Sequence, residues 1–329
     1  MNRDKLFEKF NDKTFSRDEK VLLVSHDDMD GYGPEILLRK AFKNLDVLHV
    51  SNKDMDSAIL NTLERANQYD HIFITDISCS QQTADEIVAN EYLDKYILLD
   101  HHKTATVAEY PFCVIPLENP VDSFSARFYS GKNTTGTPSG TSLTLDFLYH
   151  FNLLDEDKFA EEIAFTIEAF DTWDWKNVFG NYDIAFRLSQ LFWAIGGKRF
   201  VKGFATKTTL FSDTDTLILE IEDEKIEAYC KTHKSHVIEF MQTIDGKSYE
   251  CAYAFSTSFH TNFFSYMEKE FPNKDVYIID DGATYSFRTR KDDVDVSVIA
   301  KKLGGGGHTQ AAGAPRDTIV HFEQFKSLF

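Results

Sequence analysis

The chain of 329 residues contains only four cysteines, Cys79, Cys113, Cys230 and Cys251, and no CxxC pair. Neither a disulfide framework nor a zinc-thiolate site is suggested, so all four read as reduced thiols. Long apolar runs are also missing. None approaches the roughly 18 residues that span a bilayer, and the charged Met1–Phe10 start lacks the apolar core of a secretory signal. The expectation is a cytoplasmic protein without a membrane partner. Basic charge is scarce as well, with 35 Lys and Arg against 53 Asp and Glu, a formal net charge of −18. Such a chain repels a phosphate backbone at long range. This argues against long duplex DNA as a partner and for a short anionic ligand held by local positive charge. Part of the acidity is solvated surface, as in Leu219–Glu227, LEIEDEKIE.

A hydrophobic fraction of 42% with 14% aromatic residues argues against disorder, and the length fits two domains. The chain is organised around Val21–Gly31, VLLVSHDDMDG. Its apolar start fits a buried strand, although periodicity alone does not exclude a helix segment. The run delivers His26, Asp27, Asp28 and Asp30 together, which is costly unless something positive compensates them, and a metal is the natural candidate. Around it, Val47–Val50, His71–Thr75 and Tyr96–Leu99 read as strands. A lead-in within Met1–Lys20, Ile36–Phe42, Ala58–Asn67 and Thr83–Glu91 read as helices. The alternation predicts an α/β domain with a doubly wound, mainly parallel sheet and helices on both faces.

Ligands collect at the carboxyl ends of such strands. There the sequence places His26, Asp28 and Asp30, then Asp76 in ITDIS, then Asp100, His101 and His102 in DHH. A mainly helical stretch from Ser142 delivers Asp171 in FDTWDW. Imidazole and carboxylate ligands without thiolates suit Mn²⁺, and less selectively Mg²⁺, Fe²⁺ or Co²⁺. Alternation along an extended segment puts His26, Asp28 and Asp30 on one side and leaves Asp27 to support the turn. Asp171 is preferred over Asp174, which can cap a helix or bond an indole. Trp173 and Trp175 read as wall and core. Ser130–Ser142 reads as a loop whose Ser139–Ser142 end caps a helix over Leu143–Leu153, with phosphate binding there as the second choice.

From Phe200 the pattern changes. Ser212–Thr243 reads as a charged helical connector. After it come a strand at Tyr249–Phe255, a helix at His260–Phe271 and a hairpin through Asp280-Asp281-Gly282. The expected division is 1–205 catalytic domain, 206–242 connector and 243–329 smaller α/β domain. A helix over Ser297–Leu303 should end at Gly304-Gly305-Gly306-Gly307-His308. Four glycines exceed what a cap needs, so their amides can close on an anion, with His308 a donor at the start of a following helix. Arg288 and Arg290 alternate to one face of the preceding strand.

HDDMDG, ITDIS, DHH and FDTWDW resemble, in order and approximate spacing, the four motifs of the DHH phosphoesterase family, and GGGGHTQAAGA resembles its associated GGGH-type domain. The likeness is closest to the branch that hydrolyses short oligoribonucleotides and linear dinucleotides, the nanoRNases. The resemblance implies two divalent ions, Mn²⁺ first with Mg²⁺ or Co²⁺ as alternatives. His26 and Asp28 would hold one ion with Asp76, Asp30, His101 and Asp171 the other, and Asp76 would bridge both. It further implies that His102 serves as donor or general acid, that Asp100 orients a ligating histidine, and that Arg288, Arg290, Gly305, Gly306, Gly307 and His308 clamp the substrate. The implied reaction is phosphodiester hydrolysis to mononucleotides by water activated between the ions. The alternatives are a 3′-phosphoadenosine 5′-phosphate phosphatase and, more remotely, a nucleotide sensor without turnover. Whether the chain forms a homodimer is left open.

Overall fold

The computed structural model describes residues 3–102, 104–117, 137–177, 183–244, 246–307 and 309–316. It divides into two compact units, Met1–Leu219 and Glu220–Phe329. In the first, strands β1 (Lys20–His26), β2 (Asn44–Val50), β3 (His71–Thr75), β4 (Tyr96–Leu99) and β5 (Cys113–Val114) form a sheet in the order β2-β1-β3-β4-β5. Every pairing in it is parallel. Its helices among the described residues are α1 (Arg3–Leu6), α2 (Met29–Ala41), α3 (Met55–Leu63), α4 (Gln81–Val88), α5 (Gly140–His150), α6 (Lys158–Asp171), α7 (Asp174–Asn177), α8 (Asp183–Ile195) and α9 (Gly197–Phe204).

Alternate residues of the inner strands feed two cores. Val21, Leu23, Phe73, Ile97 and Leu99 meet Leu37 and Leu38 of α2 and Phe147 of α5 on one face. Leu22, Val24, Ile72, Ile74 and Leu98 meet Met55 and Ile59 of α3 and Ile87 of α4 on the other. Burial on both faces is why these strands read as unbroken apolar runs, and it settles Val21–Val24 as strand. The strand order reverses between β1 and β3, so the crevice of this doubly wound sheet opens where His26 and Asp76 leave their strands.

Several expected boundaries shift. The lead-in is one helical turn at Arg3–Leu6 and a 3₁₀ turn at Glu8–Phe10, because Phe7 and Phe10 insert into the core and end the helical run. Helix α2 begins at Met29, seven residues before Ile36, since Asp28 caps it. The connector helix α10 (Asp213–His233) stops short of Thr243, and the chain pairs as β6 (Ile238–Ile244) instead.

In the second unit β6 joins β7 (Lys247–Phe255), β8 (Val276–Asp280), β9 (Thr284–Arg288), β10 (Gly306–Gly307) and β11 (Ala311–Pro315) in a mixed sheet of order β10-β11-β9-β8-β7-β6. Helix α11 (His260–Glu270) packs Phe263 and Met267 on one face of that sheet, and α12 (Val296–Lys302) packs Val296 and Ala300 on the other. The Asp-Asp-Gly hairpin forms as read. Gly282 takes φ +93°, and the Asp281 carboxylate accepts the Ala283 and Thr284 amides at 2.8 and 2.6 Å. No described helix is long and apolar enough to cross a membrane.

Candidate metal centre

Strand β1 ends at His26, and the chain turns at once into α2. Asp28 is the N-cap of that helix: its Oδ1 accepts the Gly31 amide at 3.0 Å, while Oδ2 lies 2.9 Å from His26 Nδ1. Asp30 is one residue into the helix, so His26, Asp28 and Asp30 converge through a strand-to-helix turn rather than strand alternation. The turn is held by Asp28, whereas the Asp27 side chain is exposed and only approaches His26 Nε2, at 3.6 Å. The turn needs Gly31, because a Cβ there would lie 2.1 Å from the His26 carbonyl oxygen.

Asp30 is buried, and its carboxylate sits on the start of a helix that begins more than a hundred residues later. Gly140 donates to Oδ2 at 2.6 Å and Thr141 to Oδ1 at 3.0 Å. Ser139 caps α5 in a capping box with Ser142, as the sequence suggested. The free amides of that helix start therefore already hold an anion, Asp30, and this replaces the phosphate considered for them. Gly140 and Thr141 had no sequence signal beyond lying at a helix start, since their partner is distant in the chain. Residues 130–136 of the adjoining loop lie outside the described residues.

Asp76 follows β3 with φ +57°, a left-handed conformation fixed by its amide bonding the Leu99 carbonyl at 3.0 Å. Its carboxylate is buried; Oδ1 lies 3.2 Å from His101 Nε2, and Oδ2 has no hydrogen-bond partner. His101 Nε2 also faces Asp171 at 3.4 Å and Asp30 at 3.8 Å. Three overlapping ligand-sized groups result among the described residues: His26 with Asp28 and Asp76, Asp30 with His101 and Asp171, and Asp76 with Asp100, His101 and His102.

The DHH triplet divides differently from expectation in one respect. Asp100, fully buried, accepts from His102 Nδ1 at 2.7 Å and from Ser78 Oγ, so it orients His102 rather than the ring of His101. Ser78 was visible in ITDIS without any cue to this task. Asp171 ends α6 and faces the cluster, while Asp174 starts α7 and is buried. Trp175 stacks between Phe170 and Phe186 in a small core that Trp173 adjoins. Burial raises the Cys79 thiol to about 12, which marks it as an inert buried thiol.

Burial, reinforced by Asp30 and Asp28, pushes the Asp76 carboxyl well above its ordinary range. Burial likewise takes Asp171 up to about 7, although His101 opposes it. The hydrogen bond to Asp100 raises His102 to about 9 against the effect of burial. Burial disfavours charge on His26, but the Asp28 hydrogen bond together with the Asp28 and Asp27 charges outweighs it and leaves the pKa raised. Crowded carboxylates that favour protonation and an unpartnered buried Asp76 oxygen are what a cation would relieve. The donors are all oxygen and nitrogen, so a divalent ion fits these residues.

In the second unit, the Arg288 guanidinium lies over the Phe264 ring at 5.1 Å, and Arg290 Nε pairs with Glu268 Oε1 at 2.9 Å. Strand β9 ends at Arg288, so Arg290 stands beyond the strand, yet both side chains reach the same helix, α11. The glycine run has a local explanation. Gly304, at φ +78°, ends α12, with the Gly305 amide returning to the Ala300 carbonyl at 2.9 Å. Gly306 and Gly307 pair with Gly313 and Ala312. The run leads into strand β11, not a helix, and a Cβ on Gly307 would lie 2.6 Å from Ala312 Cα. His308 lies outside the described residues.

No family model matches the chain. Over 309 residues it is 29% identical to oligoribonuclease NrnB of Bacillus subtilis (strain 168), spanning 88% of this chain and 71% of that protein. It is 23% identical over 327 residues to the uncharacterized protein R106 of Acanthamoeba polyphaga mimivirus, with 91% and 68% covered. Among solved structures, RecJ of Thermus thermophilus in complex with Mn²⁺ superposes with a TM-score of 0.58 at 13% identity, over 99% of this chain and 53% of RecJ. The pGpG-specific phosphodiesterase PggH of Vibrio cholerae superposes with a TM-score of 0.50 at 14% identity, over 94% and 97%. These structural likenesses establish the fold. The fold and the site together are those of a metal-dependent phosphoesterase. Within that class, its HDDMDG, ITDIS, DHH and FDTWDW motifs resemble those of the DHH phosphoesterases, and its sequence is similar to that of an oligoribonuclease.

Proposed function

We propose that the chain hydrolyses short oligoribonucleotides or linear dinucleotides to mononucleotides. The observation that carries this reading is the convergence of His26, Asp28, Asp30, Asp76, His101 and Asp171 at the β1/β3 crevice around a buried Asp76 oxygen that accepts no hydrogen bond. Similarity to an oligoribonuclease, and a shared fold with a pGpG-specific phosphodiesterase, support the substrate class. His26, Asp28 and Asp76 would hold one divalent ion, and Asp30, His101 and Asp171 a second, with Asp76 shared. Mn²⁺ is preferred on donor chemistry. Such a pair supplies an activated water and neutralises charge developing on the phosphoryl group.

The remaining roles belong to the protein. His102, held at Nδ1 by Asp100 and protonated at neutral pH, donates from Nε2 to the departing oxygen or the phosphate. Asp30, anchored on the start of α5, fixes one wall of the site. In the second unit, Arg288, Arg290, Gly306, Gly307 and His308 would hold the substrate's terminal phosphate, with Gly305, its amide already bonded to Ala300, giving only room for close approach.

The test compares Mn²⁺-dependent turnover of a 5′-phosphorylated RNA dinucleotide, a 20-mer and 3′-phosphoadenosine 5′-phosphate. Mononucleotides released from the dinucleotide far faster than from the 20-mer are expected. Equal rates on both oligomers, or phosphate released only from the bisphosphate, would overturn the assignment.

A further inference from the structure

Outside the metal cluster, the first unit carries an open groove of about 860 Å³ between α2, β2 and α9, lined by Tyr32, Arg39, His49, Lys198 and Lys202 among others. Its acids are already paired. Glu35 binds Arg39 at 2.6 Å and His49 Nε2 at 2.8 Å, and Asp46 lies 3.4 Å from Lys20 and accepts from Tyr69 at 3.0 Å. Lys198 and Lys202, one turn apart on α9, are exposed and have no ion pair among the described residues. They belong to a segment of unusual charge for this chain. Between Asp183 and Asp213 stand Arg187, Lys198, Arg199, Lys202 and Lys207 without a single acid, in a protein of net charge −18. Trp193, at the end of α8 just before α9, is 67% exposed. Unpaired lysines, with an exposed indole five residues earlier in the chain, are the parts with which proteins hold single-stranded nucleic acid, charge for the backbone and an aromatic face for a base.

The groove also adjoins the metal centre. Its inner wall is the stacked pair Tyr32 and His49, with ring centroids 3.5 Å apart, and His49 Nδ1 bonds the His26 backbone carbonyl at 2.9 Å. Tyr32 itself follows Asp30 by two residues.

We infer that this groove is a subsite for the part of an oligoribonucleotide that continues beyond the scissile linkage, with Lys198 and Lys202 binding its backbone phosphates. A dinucleotide ends before the groove, whereas a pentanucleotide occupies it, so the groove sets the preference for chain length. The inference rests on the nuclease reading proposed above, and the experiment separates the two.

The variant is Lys198→Gln/Lys202→Gln in the full chain, with Lys43→Gln as a control for lost surface charge, since the Lys43 ammonium pairs with Asp18 in the turn before β2. Turnover of a pentaribonucleotide and of a dinucleotide is measured with Mn²⁺. Binding of a fluorescein-labelled pentaribonucleotide is measured in EDTA by anisotropy across a salt series. The double variant should lower the pentamer-to-dinucleotide ratio of kcat/KM about tenfold, and make the dependence of log affinity on log salt shallower by about 1.4, two contacts at ~0.7 each. Lys43→Gln should change neither. An unaltered ratio in an enzyme active on both substrates would overturn the groove while leaving the nuclease reading intact. If the parent hydrolyses neither substrate, the nuclease reading falls and anisotropy decides: pentamer binding lost only in the double variant supports the groove, and equal binding refutes it.

Discussion

Asp76 illustrates how much one residue carries. Its backbone is left-handed, its carboxylate is buried, and one oxygen accepts no hydrogen bond, with His26 Nδ1 3.8 Å away. Asparagine tolerates that backbone better than alanine does, so the two substitutions separate chemistry from conformation. Asp76→Asn should abolish metal-dependent turnover, yet raise the melting temperature in EDTA by a few degrees because a crowded buried acid is gone. Asp76→Ala should be equally inactive but less stable than Asn by about 1 kcal/mol, the usual cost of a left-handed backbone. Calorimetry with and without Mn²⁺ distinguishes these outcomes, and turnover by Asp76→Asn near the parent level would refute the shared-ligand role. Gly140 is the complementary case. A Cβ on it would lie 2.5 Å from the Asp76 Cβ, so Gly140→Ala must displace one of them. A stability loss of about 1–3 kcal/mol, with weakened Mn²⁺ binding by isothermal titration, is expected. At this scale the sequence showed His26, Asp28, Asp30, Asp76, His101 and Asp171 because they directly leave predicted strands or a quoted motif. It did not show Gly140 and Thr141, since nothing local links a helix start to a carboxylate 110 residues earlier.

Among the elements, legibility followed burial. Strands β3 and β4, buried on both faces, were bounded correctly to the residue, and β1 was visible as an apolar run. The two-residue β5 has too little sequence to show a pattern. Strand β6 was read as helix because nearly every side chain in it is exposed, which removes the alternation that would have marked it. The start of α2 is masked in the sequence because Asp28 both caps the helix and faces the cluster, so its capping signal coincides with the site motif. Helix α5 matters most to the site, since its first turn holds Asp30. Removing its cap with Ser139→Ala should cost about 1 kcal/mol in chemical unfolding. It should also lower metal affinity by loosening the Gly140 and Thr141 amides. A stability loss with unchanged Mn²⁺ affinity would show that Asp30 is held independently of the cap.

For the whole molecule, the raised groups set a pH dependence. Asp171, at about 7, holds its proton longer in the folded state than in the unfolded chain, so folding loses stability as pH rises through that value. His102, at about 9, has the same sign: its contribution is complete below the ordinary histidine value and is lost as pH climbs through about 9. Burial lowers His71 to about 4, so it is neutral in both states above pH 6.5 to 7 and contributes little there. In EDTA, the melting temperature should therefore fall between pH 6.5 and 9. Mn²⁺ should flatten the lower part of that fall, because the ion takes over the proton's place at Asp171. A melting temperature that rises with pH in EDTA would contradict this picture.

The two-unit α/β plan was readable from the alternation of strands and helices, but the way the units share the chain was not. Leu219 lies in a core of the first unit and Cys230 in a core of the second, yet both stand on the single helix α10. A recombination event or a protease that separated the halves on either side of this helix would strip one core of a wall. A graft of the second unit onto another catalytic domain must therefore bring along the part of α10 that carries Cys230 to be complete.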